Sequence, residues 1–195
     1  NKFKNYFFFI LAGVLLPIAA LAQTTVTFTN AAATGQNNGP TQAQVTAAYE
    51  GTTLDDAVTI NTQGIQEWTV PADAVYTIEA WGAGGESSSY GYGSGKGTKM
   101  KGDFTLTQGT VLKILIGQKG FGSGCSIGGG GGTFVVLTNN TALIVAGGGG
   151  GGGRTAGKDA STGTSGLIGD GGGGAGGTNG SGGYGASGGG GGGLN

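Results

Sequence analysis

The sequence predicts a mainly β protein: a β-sandwich with glycine-rich polyproline II helices inserted between its strands as a bundle, and one short α-helix. Three observations carry this reading. Short segments of alternating polar and apolar residues recur along the chain, separated by polar turns. Fifty of the 195 residues are glycine, and all but five of these follow Trp81. The glycine runs at 128–132, 147–153, 171–174 and 188–193 are bracketed by apolar, strand-like segments and hold few of the charged residues that keep a linker solvated.

Lys2 and Lys4 precede an uncharged stretch over 5–22 that ends in Ala20-Leu21-Ala22. This is the pattern of a secretory signal peptide, with cleavage expected between Ala22 and Gln23. The alternative, a membrane anchor, is opposed by a stretch shorter than the ~20 residues a spanning helix needs and by Pro17 within it. Gln23 stands where a lipoprotein would need cysteine, so no lipid anchor is expected here. The remainder divides into a β-sandwich over 23–146, with glycine-rich insertions at 82–102 and 117–132, and a glycine-rich segment over 147–195. It holds no further transmembrane stretch. The missing initiator methionine and the stop at Asn195 after a glycine run read as the clipped ends of a longer frame.

Residues 24–29 alternate, with Val26 and Phe28 on one face, and predict a first strand. Pro40-Thr41 opens a helix in which Thr41 and Gln44 have capping-box spacing, Val45, Ala48 and Tyr49 form an apolar face, and Gly51 closes the end. Strands follow over 57–61, 66–70 and 75–81, the last two joined by a turn at Pro71-Ala72-Asp73-Ala74. Three further patterns survive among the glycines: 103–107, 111–116 with Leu112, Ile114 and Ile116 inward, and 133–137 paired with 143–146 across Thr138-Asn139-Asn140-Thr141. About eight short strands suggest a sandwich.

Ordering a glycine costs about 1–2 kcal/mol of backbone entropy and returns no side chain to a core. The runs can therefore be ordered only if their amides satisfy one another. Polyproline II helices have no internal hydrogen bonds, so several of them lacking Cβ atoms can lie side by side and bond laterally. The alternative is a flexible glycine/serine linker.

Several stretches carry a resemblance to a known family: Thr27-Phe28-Thr29-Asn30, Gly39-Pro40-Thr41-Gln42-Ala43-Gln44 with Tyr49, Gln66-Glu67-Trp68-Thr69-Val70-Pro71, Tyr76-Thr77-Ile78 and Gly82-Ala83-Gly84-Gly85. Phe104-Thr105-Leu106, Leu115-Ile116-Gly117-Gln118-Lys119-Gly120, the run from Gly128 to Phe134, and Leu143-Ile144-Val145-Ala146 with the following glycines and Arg154 continue it. In that order they resemble the glycine-rich extracellular domain of anaplastic lymphoma kinase and leukocyte tyrosine kinase receptors, a domain with counterparts in secreted bacterial proteins. The resemblance implies a tumour-necrosis-factor-like, jelly-roll-type sandwich with a hexagonally packed bundle of glycine helices, and an ectodomain that helps bind a protein ligand. Where the receptors carry a cysteine pair, this chain has Asn30 and Val45. No transmembrane or kinase segment is found in these residues, so receptor signalling does not carry over.

Nine basic and ten acidic side chains give a net charge of −1, spread without a basic stripe, which excludes nucleic acid as a partner class. The chain has no histidine, which removes the commonest general base and the usual nucleophile triads; no catalytic, cofactor or metal residue is assigned, and no enzyme is expected. The near match to a phosphate loop at Gly95-Lys96 fails, because Tyr90 stands where glycine is needed. Asp55-Asp56 reads as a solvated turn, with calcium as the lesser option. Asn139-Asn140-Thr141 and Asn179-Gly180-Ser181 are formal glycosylation sequons that read as turns. Cys125, the single cysteine, reads as a small packed hydrophobe, or else as an intermolecular bridge. Of the aromatic residues Trp68, Trp81, Tyr90, Tyr92 and Tyr184, Trp68 belongs to the core. Tyr90 and Tyr92, in a serine/glycine loop, are candidate ligand contacts or covers for the bundle edge. The expected protein is a secreted, non-catalytic bacterial surface or matrix protein that binds an extracellular protein or glycan. The alternatives are a structural spacer in a larger exported chain and, more distantly, an accessory domain of a secreted enzyme. Oligomeric state is open.

Overall fold

The computed structural model describes residues 24–33, 38–124, 126–168 and 175–178. It is mainly β, with one helix, α1 (Gln42–Tyr49), and strands β1 (Val58–Thr62), β2 (Ile65–Thr69), β3 (Ala74–Trp81), β4 (Lys99–Leu106), β5 (Val111–Leu115), β6 (Gly122–Ser123), β7 (Ser126–Ile127), β8 (Thr133–Leu137) and β9 (Ala142–Ala146). Five strands form an antiparallel sheet in the order β1-β2-β5-β8-β9. β3 and β4 pair over their full lengths as a second layer that packs on β8 and β9. Alternation sets the layers: Trp68, Leu112, Ile114, Val135 and Ile144 from the large sheet meet Ala80 and Leu106 in one core, with Tyr76, Ile78, Met100 and Phe104 against it.

Residues 24–30 depart from the expected strand. Val26 and Phe28 do turn inward, and Phe28 packs edge-on against Tyr49 and Trp68. The backbone, however, joins no ladder. Thr29 N–H donates to Tyr49 Oη (2.9 Å), Tyr49 O–H donates to Gln66 Oε1 (2.6 Å), and Gln66 Nε2 donates back to the Thr29 carbonyl (2.7 Å). A closed ring of side-chain bonds replaces strand pairing and satisfies Gln66, which is fully buried.

The capping box forms as read. Thr41 Oγ1 accepts from Gln44 N–H (3.4 Å), and Gln44 Oε1 accepts from Thr41 N–H (2.9 Å). Val45 and Tyr49 are buried, whereas Ala48 is exposed, so the apolar face is narrower than expected. The rest of the Gly-Pro-Thr-Gln-Ala-Gln stretch docks the helix: Gln42 Nε2 donates to Val58 O (3.1 Å) and its Oε1 accepts from Ile60 N–H (2.7 Å). One amide side chain thereby covers the edge of β1. A Cβ on Gly39 would collide with Gly64 Cα, and Gly64, at φ 89°, turns the β1–β2 hairpin against it.

Three glycine-rich excursions leave the same end of the sandwich. The first goes out over 82–86 and returns over 93–98, ending at Thr98 because β4 already begins at Lys99. The second uses 117–121 and 128–132, with β6 and β7 as a small hairpin at its far end. The third uses 147–152 and 157–160. Their amides bond to one another with a step of three residues. Gly82 and Gly85 donate to Thr98 and Gly95 (2.9 and 3.0 Å), Ala83 and Glu86 donate to Gly131 and Gly128 (2.9 and 3.2 Å), and Gly149 and Gly152 donate to Ala83 and Glu86 (both 2.9 Å). Segment 82–86 thus has neighbours on several sides, including 117–121 through Gly120 N–H to Gly84 O (3.0 Å). The approach requires glycine. A Cβ on Gly82 or Gly85 would strike the carbonyl of Gly147 or Gly150, three residues apart again. The runs at 171–174 and 188–193 lie outside the described residues.

Candidate functional site

The far ends of the three excursions meet in one tip. Its centre is the loop over 87–93, whose three consecutive serines act as clasps. Ser87 Oγ accepts from Ser94 N–H (3.3 Å), Ser88 Oγ from Tyr92 N–H (3.3 Å), and Ser89 Oγ from Gly124 N–H in the β6–β7 hairpin (3.4 Å). Ser88 N–H also donates to Tyr92 O (2.9 Å), and Gly91 turns the chain at φ 86°. The sequence looks like a linker, but its hydroxyls hold the backbone that carries the aromatic rings.

Tyr90 is 68% exposed and Tyr92 44% exposed. The structure adds Phe121, 67% exposed at the entrance of the β6–β7 hairpin, which the sequence reading did not single out. It is held in place by Gly128 N–H donating to its carbonyl (2.8 Å), while Ile127 beside it is buried and anchors the hairpin. Three large aromatic residues therefore stand in solvent at one end of the molecule. Such rings offer a flat apolar face, and the two tyrosines add a polar edge.

Charge at the tip is largely settled internally. Lys119 Nζ lies 2.9 Å from both carboxylate oxygens of Glu86. The Lys119 hydrogen bond, followed by the Ser87 N–H, holds the Glu86 carboxyl below its usual range. Arg154 is exposed in the neighbouring turn, where Gly153 N–H donates to Thr155 O (3.0 Å).

The other candidates separate. Trp68 is core, as expected from its setting. Trp81 is 57% exposed on the outer side of β3, with the Lys99 ammonium 5.0 Å from its ring centre and 3.0 Å from Glu79. Asp55 Oδ2 accepts from Gly51 N–H (3.0 Å), which makes it a turn residue. Asn139 and Asn140 form the β8–β9 turn, with Asn140 at φ 65° and Asn139 Oδ1 accepting from Thr141 N–H (3.0 Å). Ala22, Gln23, Cys125, Asn179 and Tyr184 lie outside the described residues. No helix among the described residues is long and apolar enough to cross a membrane.

No protein-family profile matches the chain. It is similar to the leukocyte tyrosine kinase receptor of Mus musculus, with 35% identity over 98 residues. That match takes in 48% of this chain and 11% of the receptor. The similarity therefore concerns a small part of the receptor, and the receptor's activity as a whole lies beyond it.

Proposed function

We propose that this chain is a secreted, non-catalytic surface or matrix module that binds a saccharide through Tyr90, Tyr92 and Phe121. The observation that carries the reading is the tip itself: exposed aromatic rings on a loop whose backbone is already clasped, so little conformational entropy is lost on binding. The C–H-rich face of a sugar ring complements the electron-rich face of an aromatic ring, and tyrosine hydroxyls add hydrogen bonds at the edge. A partner with many hydroxyls and little charge suits a tip whose carboxylate is already engaged by Lys119. Export follows from the segment preceding Gln23, with cleavage after Ala22. The absence of histidine from the sequence supports a non-catalytic role.

The glycine segments are, in this proposal, polyproline II helices inserted in a tumour-necrosis-factor-like sandwich. Their three-residue bonding step equals the repeat of that helix, and six residues of it, as in 147–152, span about 19 Å. They act as a stiff stalk that sets the aromatic tip away from the sandwich. The test is affinity electrophoresis of the purified chain through gels containing soluble neutral polysaccharides, with the Tyr90→Ala/Tyr92→Ala double variant as control. Retardation that falls about tenfold or more in the variant supports the site. No retardation by any polysaccharide, with amide protection of the bundle intact, overturns saccharide binding and favours a spacer.

A further inference from the structure

The outward face of the five-stranded sheet carries a pattern that the tip does not use. Register sets Ile65 beside Leu115, Leu115 beside Phe134, and Phe134 beside Val145. Their strand neighbours Gln66, Ile114, Val135 and Ile144 are buried on the inner side, so alternation turns this row outward. The row crosses four strands, about 14 Å at the usual strand spacing. Leu115 and Val145 are 38% and 36% exposed, Ile65 is half-buried, and Phe134, flanked by Leu115 and Val145, is only 9% exposed, so the solvent-facing apolar surface is that of Leu115, Val145 and part of Ile65. Among the described residues, β3, β4 and α1 all contribute to the opposite, inner side.

The next outward row places Glu67 on β2 directly beside Lys113 on β5. These opposite charges do not pair with each other. Glu67 Oε2 accepts from Asn61 Nδ2 (2.8 Å), and Lys113 Nζ donates to Thr138 O (3.2 Å). We infer that this face binds a second copy of the chain, about a two-fold axis running along the strands between β2 and β5. That operation sets Ile65 over the partner's Leu115 and Glu67 over the partner's Lys113, each contact occurring twice. An axis across the strands would instead lay both charges on the apolar row or on the glycine segments, unmatched. Charge complementarity thus selects a homodimer and its orientation.

Five strands of five residues cover about 24 Å by 17 Å, or roughly 400 Å² of footprint, about half of what one partner contributes to a standard interface. The dimer is accordingly weak, with Kd above about 1 μM. It needs no ligand at the tip, and its parallel arrangement sends both glycine stalks the same way.

Sedimentation equilibrium of the purified chain, from micromolar to millimolar, tests it. The expected mass rises from one to two chains. Leu115→Lys holds it at one. Glu67→Lys alone and Lys113→Glu alone each weaken association about tenfold or more, because each sets like charges face to face twice, and the double reversal restores it. Unchanged strand amide protection verifies the fold of each variant. A monomer throughout, a dimer that survives Leu115→Lys, or a double reversal no better than the single ones overturns the inference.

Discussion

The sandwich and the glycine bundle are ordered by opposite means. In the sandwich, side chains do the work: Trp68, edge-on to Phe28 and Tyr76, sits in a core of interdigitating apolar groups, and backbone bonding follows the strands. In the bundle few side chains are available. Order there comes from carbonyls and amides brought so close that a methyl group cannot pass between them. One region tolerates a change of shape if volume is kept; the other tolerates no Cβ where two backbones touch, as at Gly82, Gly85 and Gly149.

The sharpest way to break this comparison is to damage each region separately. Trp68→Ala removes the centre of the aromatic cluster and is expected to cost about 3–5 kcal/mol, measured by denaturant unfolding followed by strand amide exchange. Protection should fall in sandwich and bundle together, since the first two excursions are tethered to sandwich strands at both ends and the third is tethered at Ala146. Gly149→Ala drives a Cβ into the Gly95 carbonyl and is expected to cost roughly 1–3 kcal/mol. Its signature is local: amides of Gly95, Gly130 and Gly149 lose protection while β2, β5 and β8 keep theirs. Gly93→Ala, where no atom lies within 4 Å, is expected to stay within about 0.5 kcal/mol of the parent. If Gly149→Ala matches Gly93→Ala, close backbone contact is not what holds the bundle.

The smallest effect concerns pH. Glu86 has its carboxyl pKa lowered in the folded state by Lys119 and the Ser87 N–H. A depressed acid contributes fully above its unfolded pKa, about 4.3, and loses that contribution as pH falls through the folded value. Protection of the Ser87 amide should therefore be constant near neutrality and decline only below about pH 4. The Glu86→Gln variant should show no such decline. A decline centred on neutral pH would assign the titration to another group.

Much of the sandwich was legible because alternation reports directly on burial. The strands from β1 to β3, together with β5, fall close to where polar and apolar residues take turns, and β8 and β9 fall on apolar runs joined by a polar turn. The start of β4 was hidden, because Lys99-Met100-Lys101-Gly102 reads as charged loop adjoining glycine, yet it pairs with Ile78 to Trp81. Residues 24–30 have strand-like alternation without a ladder, since a local pattern reports which side is buried and not what bonds the backbone. Tyr90 and Tyr92 were visible as aromatic residues without a strand. Phe121 was not, because its place at the tip depends on how the second excursion lies beside the first. The row from Ile65 to Val145 was hidden for the same reason: register between strands is a property of four distant segments at once.

The three-residue bonding step has one further consequence. Within a run as uniform as 147–153, sliding the chain by three residues past its neighbours would recreate every lateral bond with identical partners in kind. The glycines themselves therefore cannot encode alignment. That information must come from the interruptions: Ala83 and Glu86 in the central segment, Thr98 where its return meets β4, Thr133, whose hydroxyl donates to the Trp81 carbonyl at 2.6 Å, and Asp159, whose carboxylate receives the Lys96 N–H at 2.7 Å. The rare non-glycine residues serve as the vernier marks of an otherwise unmarked scale.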